Sequence, residues 1–170
     1  MNILFVCTAN ICRSFLAAKL FQNEIDIGHL ENISVSSAGL FTRPGSPPDP
    51  KMVKFLSKMG IDDKSHQSRQ MSEEDSMSAD IILVMEEFHR LRILSLWPLV
   101  YEKVERLGRF ISKDSIADDI ADPFGRSQYH YRLAQSQITL AIKNLANTIA
   151  SDPTIYHLKG AEILKHLRGA

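Results

Sequence analysis

Two kinds of apolar pattern alternate along the chain. In one, four to six apolar or β-branched residues follow one another; in the other, apolar residues return every three or four positions. Asn2–Cys7 is of the first kind and predicts a strand, while residues 14–25 carry Leu16, Ala17, Leu20, Phe21 and Ile25 on one helical face. Residues 33–38 predict a second strand, followed by the Gly/Pro-rich loop GLFTRPGSPPD. Asp49 then caps a helix with Pro50 at its first position, with Met52, Val53, Leu56 and Met59 inward and Gly60 as its stop. Residues 80–85, DIILVM, form the longest apolar run and suit a central strand covered on both faces.

Glu86 and Glu87 open the next helix near its positive end, and that helix should stop by Pro98. Residues 101–107 are the candidate fourth strand. A long helix follows, with Tyr131, Ala134, Ile138, Ala141, Ile142, Leu145 and Ile149 on one face, ended by Asp152-Pro153. The alternation predicts an α/β fold: a single domain over 1–152 with a four-stranded parallel sheet, helices on both faces and a phosphate loop between the first strand and first helix. Residues 153–170 form a tail compatible with a helix and without a readable role. Ligands of such sheets bind at the carboxyl ends of strands, where Cys7 ends the first.

Composition narrows the function classes. Lys+Arg 20 balances Asp+Glu 20 at zero formal net charge, so no global field recruits nucleic acid or an anionic membrane. No basic leader precedes the short run Ile3–Val6, and no stretch approaches the ~20 apolar residues of a membrane span, so a cytoplasmic protein without membrane insertion is expected. In a reducing compartment the two cysteines are expected to be thiols, and their spacing fits no zinc pattern. Neither a metal nor a cofactor is expected.

Both cysteines fall in one stretch, VCTANICRS, that runs from strand to helix. Unpaired N–H groups and the helix dipole favour an anion there, and Arg13 adds a planar donor fork matched to two phosphate oxygens. A thiol in that positive field favours its thiolate, which would make Cys7 a nucleophile. Asn10 readily adopts a left-handed backbone and would let successive N–H groups converge; Ser14 is placed to donate to the thiolate. Taken alone, a cysteine ending a buried strand is more often packing, but an arginine in a crowded turn argues against packing alone.

VCTANICRS resembles the C-x5-R-S signature of the low-molecular-weight protein tyrosine phosphatases. VSSAG (35–39), GIDDKSHQSRQM (60–71), ADIILVMEEFHR (79–90) and ADPFG (121–125) are similar to that family's other landmarks in the same order. The resemblance implies Cys7 as nucleophile, Arg13 as phosphate clamp, Ser14 as thiolate partner and Asp122 as general acid and base. It implies phosphate binding by Thr8, Ala9, Asn10, Ile11, Cys12 and Ser14, with Ser37 and His66 supporting the loop. The implied reaction is hydrolysis of phosphotyrosine on a protein through a phosphocysteine, with no cofactor. A bacterial tyrosine kinase that controls exopolysaccharide export is among the implied targets. Phe124 and Phe41 are candidate walls for an aromatic ring.

The pattern departs from the family at Ala9, where Gly is usual, and at Phe15, where Pro is usual. An alanine at positive φ would be strained, so either the backbone is compatible or the loop is altered. Asp118 and Asp119 rival Asp122, and Cys12 is either a resolving thiol or a packing residue. Protein-arginine phosphatases resemble this loop but carry Thr at the position of Ile11, whose methyl surface suits an aromatic ring better than a guanidinium. An arsenate reductase would need further cysteines after Cys12, and a phosphocysteine relay would need neither Arg13 nor Asp122.

Overall fold

A computed structural model describes residues 1–62, 65–112, 119–158 and 160–169. Four parallel strands, β1 (Asn2–Cys7), β2 (Ser34–Gly39), β3 (Ile81–Val84) and β4 (Val104–Arg106), stand in the order β2-β1-β3-β4. Connections leave β1 toward one edge and return past it to β3, so the strand order switches direction beside β1. The loop after Cys7 emerges at that switch point.

Strand residues alternate between two cores, as the pleat requires. Ile3, Phe5, Cys7, Ile81, Leu83 and Met85 pack on one face with helices α1 (Arg13–Gly28) and α2 (Pro50–Lys58). Leu4, Val6, Ile82 and Val84 pack on the other, against the segment that carries Met71 and Ala79. That segment contains a short helix, α3 (Glu73–Ser78), closed at its start by a reciprocal Ser72–Asp75 capping box. Helix α4 (Glu87–Leu96) covers the second face through Ile93, and α5 (Gln128–Ser151) covers the first. All seven apolar positions expected to face inward on α5 are buried.

Three expectations need correction. The proposed strand over 101–107 shrinks to Val104–Arg106, because Pro98–Lys103 and Leu107–Phe110 form 3-10 turns on either side. Met59 caps the C-terminus of α2 and is 41% exposed, since the helix ends before its face turns inward again. Helix α3 went unread because it presents only Ser76 to the interior and so has no apolar stripe. Beyond Asp152, a 3-10 turn and helix α6 (Ala161–Gly169) bury Ile155, Ile163, Leu164 and Leu167 in the same core as α1 and α5. No helix among the described residues is long and apolar enough to cross a membrane.

Gly39 ends β2 directly opposite Cys7. A Cβ at Gly39 would collide with Thr42 Oγ1 and lie 2.7 Å from the Thr8 carbonyl oxygen and 2.9 Å from the Asn10 nitrogen. The threonine can rotate away, but the two backbone atoms cannot. Gly39→Ala is therefore expected to destabilise the fold by about 1–3 kcal/mol, the usual range for overpacking. Urea denaturation at fixed pH measures it; a stability unchanged within error would show that the loop yields freely.

Candidate active site

Asn10 holds the loop after β1 in shape. It adopts φ 57°, and its side chain is fully buried. Its Nδ2 donates to Ser14 Oγ (3.0 Å) and Ser37 Oγ (2.9 Å), while its Oδ1 accepts from the Arg69 N–H (3.0 Å). The expected left-handed residue is thus Asn10, and Ala9 is not among the positive-φ residues. Of the two alternatives for Ala9, the compatible backbone is the one found.

Loop carbonyls are turned outward to protein donors. Leu40 N–H donates to the Cys7 carbonyl, Phe41 N–H to Thr8, His66 Nε2–H to Asn10 (2.7 Å) and Asp49 N–H to Ile11 (2.8 Å). In a trans peptide the next N–H points opposite to each carbonyl. The N–H groups of Ala9, Ile11 and Cys12 consequently face away from those donors, with no acceptor among the described residues. Such a ring of inward N–H groups is an anion cradle.

Cys7 lies at its base. The Asn10 N–H donates to Cys7 Sγ at 3.3 Å, and Ser14 Oγ lies 3.1 Å away. Ser14 Oγ already accepts from Asn10, so its own proton is directed to the sulfur or to the more distant Ala38 carbonyl at 3.4 Å. Cys12 is also free and buried. Burial pushes its thiol above the ordinary range, and Asp49, Cys7 and Asp122 push it further, so Cys12 stays neutral.

Arg13 is 1% exposed. Its NH1 donates to Glu86 Oε2 (2.6 Å) and to the Ile120 carbonyl (2.8 Å), and its NH2 pairs with Asp122 Oδ2 (2.9 Å). Its Nε has no partner among the described residues. Burial alone would lower the guanidinium's pKa, but Cys7, Asp122 and Glu86 hold it above its ordinary value. One edge of the fork is therefore fixed by protein, and the other, Nε with NH2, is the edge that can grip two phosphate oxygens.

Asp122, over a hundred residues from Cys7 in sequence, is brought to that edge by two neighbours. Ile120 is pinned through both backbone groups, its N–H to the Met85 carbonyl (2.7 Å) and its carbonyl to Arg13. Asp119 accepts from the Glu87 N–H (2.9 Å) and pairs with Arg106 (3.2 Å), so its carboxylate is engaged away from the loop. Asp118 lies outside the described residues.

Sequence reasoning missed four participants. Glu86 looked like a helix-dipole residue, yet its carboxylate grips Arg13. His89 is buried against the site, with Nε2 2.9 Å from Thr8 Oγ1 and Nδ1 accepting from the Glu86 N–H. Asp49, read only as a helix cap, also accepts from Tyr131 Oη (2.8 Å) and fixes Ile11 through its own N–H. Phe88 stacks on Phe41 at 6.0 Å between centroids, beside Arg92. Phe41 and Phe124 are both more than half exposed. Phe15, where the family has Pro, is buried and packs on the His66 ring at 4.7 Å.

The family model described as low molecular weight phosphotyrosine protein phosphatase matches residues 2–154. A protein-arginine-phosphatase of Geobacillus stearothermophilus is 35% identical over 151 residues, 89% of this chain and 97% of that protein. The probable low molecular weight protein-tyrosine-phosphatase EpsP of Ralstonia nicotianae is 37% identical over 123 residues, 72% and 78% of the two chains. The solved structure of a low molecular weight protein tyrosine phosphatase from T. tengcongensis superposes with TM-score 0.78 at 30% identity, covering 86% of this chain and 98% of that one. With its thiol-based anion cradle, its buried arginine fork and a match spanning nearly its whole length, the chain belongs to the low molecular weight phosphotyrosine protein phosphatase family.

Proposed function

We propose that this protein is a protein tyrosine phosphatase, a phosphoric monoester hydrolase that works through a phosphocysteine. The supporting observation is the convergence of Cys7 Sγ, the unpartnered Nε of Arg13 and the Asp122 carboxylate on one backbone cradle. In the first step Cys7 thiolate attacks phosphorus while the ester oxygen departs with a proton from Asp122. Arg13 and the loop N–H groups hold the three equatorial oxygens as charge redistributes. In the second step the Asp122 carboxylate takes a proton from water, which displaces Cys7 as phosphate forms. Asp122 and a bound phosphoryl group share Arg13 NH2, so occupancy loosens the ion pair and turns the acid toward the leaving oxygen. Ser14 stabilises the thiolate on its return, while Ser37 and His66 support the loop.

Two relatives bear on the substrate in opposite ways. The Geobacillus protein is named for phosphoarginine and the Ralstonia protein for phosphotyrosine. Ile11, half-buried at the loop, presents hydrocarbon and not a hydroxyl, and of the exposed, stacked pair Phe41 and Phe88 the first is hydrogen-bonded to Thr8 and the second adjoins His89 in the chain. These features favour an aromatic ring over a guanidinium, so a tyrosine-phosphorylated protein is the proposed partner, a bacterial tyrosine kinase among the targets, and the cytoplasm is this protein's proposed location. Release of phosphate from matched phosphotyrosine and phosphoarginine peptides decides between them. Faster release from the tyrosine peptide is expected, and preference for phosphoarginine would reassign the substrate.

Cys7→Ser is expected to abolish turnover and keep inorganic phosphate binding within a few-fold, because the cradle is backbone and Arg13. Substantial hydrolysis by this variant would remove Cys7 from its role. Asp122→Asn is expected to slow phosphotyrosine cleavage by about 10²–10⁴-fold, the usual worth of general acid help. The loss should shrink for a nitrophenyl ester, whose leaving group needs no proton. Equal losses on both substrates, measured as kcat/KM, would make Asp122 a turn residue only.

A further inference from the structure

Among the described residues His89 is the only buried histidine, and its two nitrogens face two different parts of the site. It occupies the third position of α4, where an ordinary capping box would carry Glu or Gln to accept the N-cap N–H. Here Nδ1 does that work, accepting from the Glu86 N–H at 3.1 Å. The proton of the neutral ring must then sit on Nε2, which donates to Thr8 Oγ1 at 2.9 Å. Burial, with Arg13 nearby, pushes the imidazole down to about 4 against the opposing pull of Glu86, Asp122 and Asp119, so the ring is neutral near pH 7.

A threonine hydroxyl has two acceptor lone pairs and one proton. One lone pair of Thr8 is taken by His89, and Arg13 NH2 lies toward the other at 3.5 Å. Among the described residues Thr8 Oγ1 makes no hydrogen bond to an acceptor. That leaves its proton available to a ligand oxygen bound beside Arg13 NH2. A carboxylate at position 89 could cap the helix but could not donate to Thr8. An imidazole does both.

We propose that the Thr8 hydroxyl is a further donor to the phosphoryl group, and that His89 is the positioning residue that aims it. The pair supplements the backbone cradle with one side-chain hydrogen bond to the oxygen also served by Arg13 NH2. It rests on the phosphatase reading. Because the acceptor is charged, losing the bond is expected to lower kcat/KM about ten- to a hundred-fold.

The test uses the full chain with 4-nitrophenyl phosphate as substrate and inorganic phosphate as a separate ligand followed by calorimetry. Thr8→Val and His89→Phe should each lower kcat/KM by that factor and weaken phosphate binding. Thr8→Ser, which keeps the hydroxyl, should recover most of both. The double variant should be no worse than the poorer single one, since both changes remove the same bond. Nitrogen-15 spectra of His89 at neutral pH should show a proton on Nε2 and none on Nδ1. Losses that multiply in the double variant, a Thr8→Val protein within two-fold of wild type, or an Nδ1–H tautomer would each overturn the proposal. If His89→Phe does not fold, the Thr8→Val and Thr8→Ser pair and the tautomer still decide it. If the wild-type protein shows no turnover, the phosphatase reading fails, and phosphate affinity and the tautomer still judge the Thr8–His89 pair.

Discussion

A permanently charged guanidinium at the closed start of a helix is the constraint from which the rest of the site follows. Taking such a group out of water costs several kcal/mol unless its donors are met and its charge is balanced. Arg13 is met from three directions: the first turn of α4 through Glu86, the loop before α5 through the Ile120 carbonyl, and the acid Asp122. These partners come from two separate segments of chain, the start of α4 and the loop that carries both Ile120 and Asp122. Burying one side chain therefore fixes the mutual positions of the start of α1, the start of α4 and the Ile120–Asp122 loop, and the geometry of the site follows from charge compensation.

A second layer keeps the cradle open. The carbonyls of Cys7, Thr8, Asn10 and Ile11 each have a donor from another segment, and those donors reach from 40–41, 49 and 66. Tyr131 on α5 grips Asp49, whose own N–H holds Ile11. Burial and its bond to Asp49 push the Tyr131 phenol up, so it remains a donor at any ordinary pH. The long helix is in this way wired to the phosphate loop through Tyr131 and Asp49, and packing of α5 on its sheet face bears on loop shape.

Cys7, Asn10, Arg13 and Ser14 were legible in the sequence because their chemistry and spacing are local: one turn, one left-handed residue, one helix start. The strands β1 and β3 and the helix α5 were legible because burial leaves a periodic imprint on composition. Glu86 and His89 were hidden because a carboxylate and an imidazole at a helix start have a sufficient local explanation in capping. Their longer reach, to Arg13 and Thr8, exists only once β1 and β3 are neighbours. The double duty of Asp49 was hidden for the same reason. Strand β4 was overestimated because its flanks are as apolar as the strand itself, and 3-10 turns leave no distinct periodicity over so few residues.

Ile120 has a kinetic meaning as well. Anchored at both its N–H and its carbonyl, it is a fixed point two residues ahead of Asp122. Two residues of extended chain span about 7 Å, which bounds how far the Asp122 Cα can lie from that fixed point. Rearrangement within such a radius is a matter of rotamers and a short loop, on roughly nanosecond to microsecond scales, far quicker than hinge closure of a domain. Any repositioning of Asp122 is thus local diffusion on a short tether, a smaller and quicker motion than the swing of a large lid.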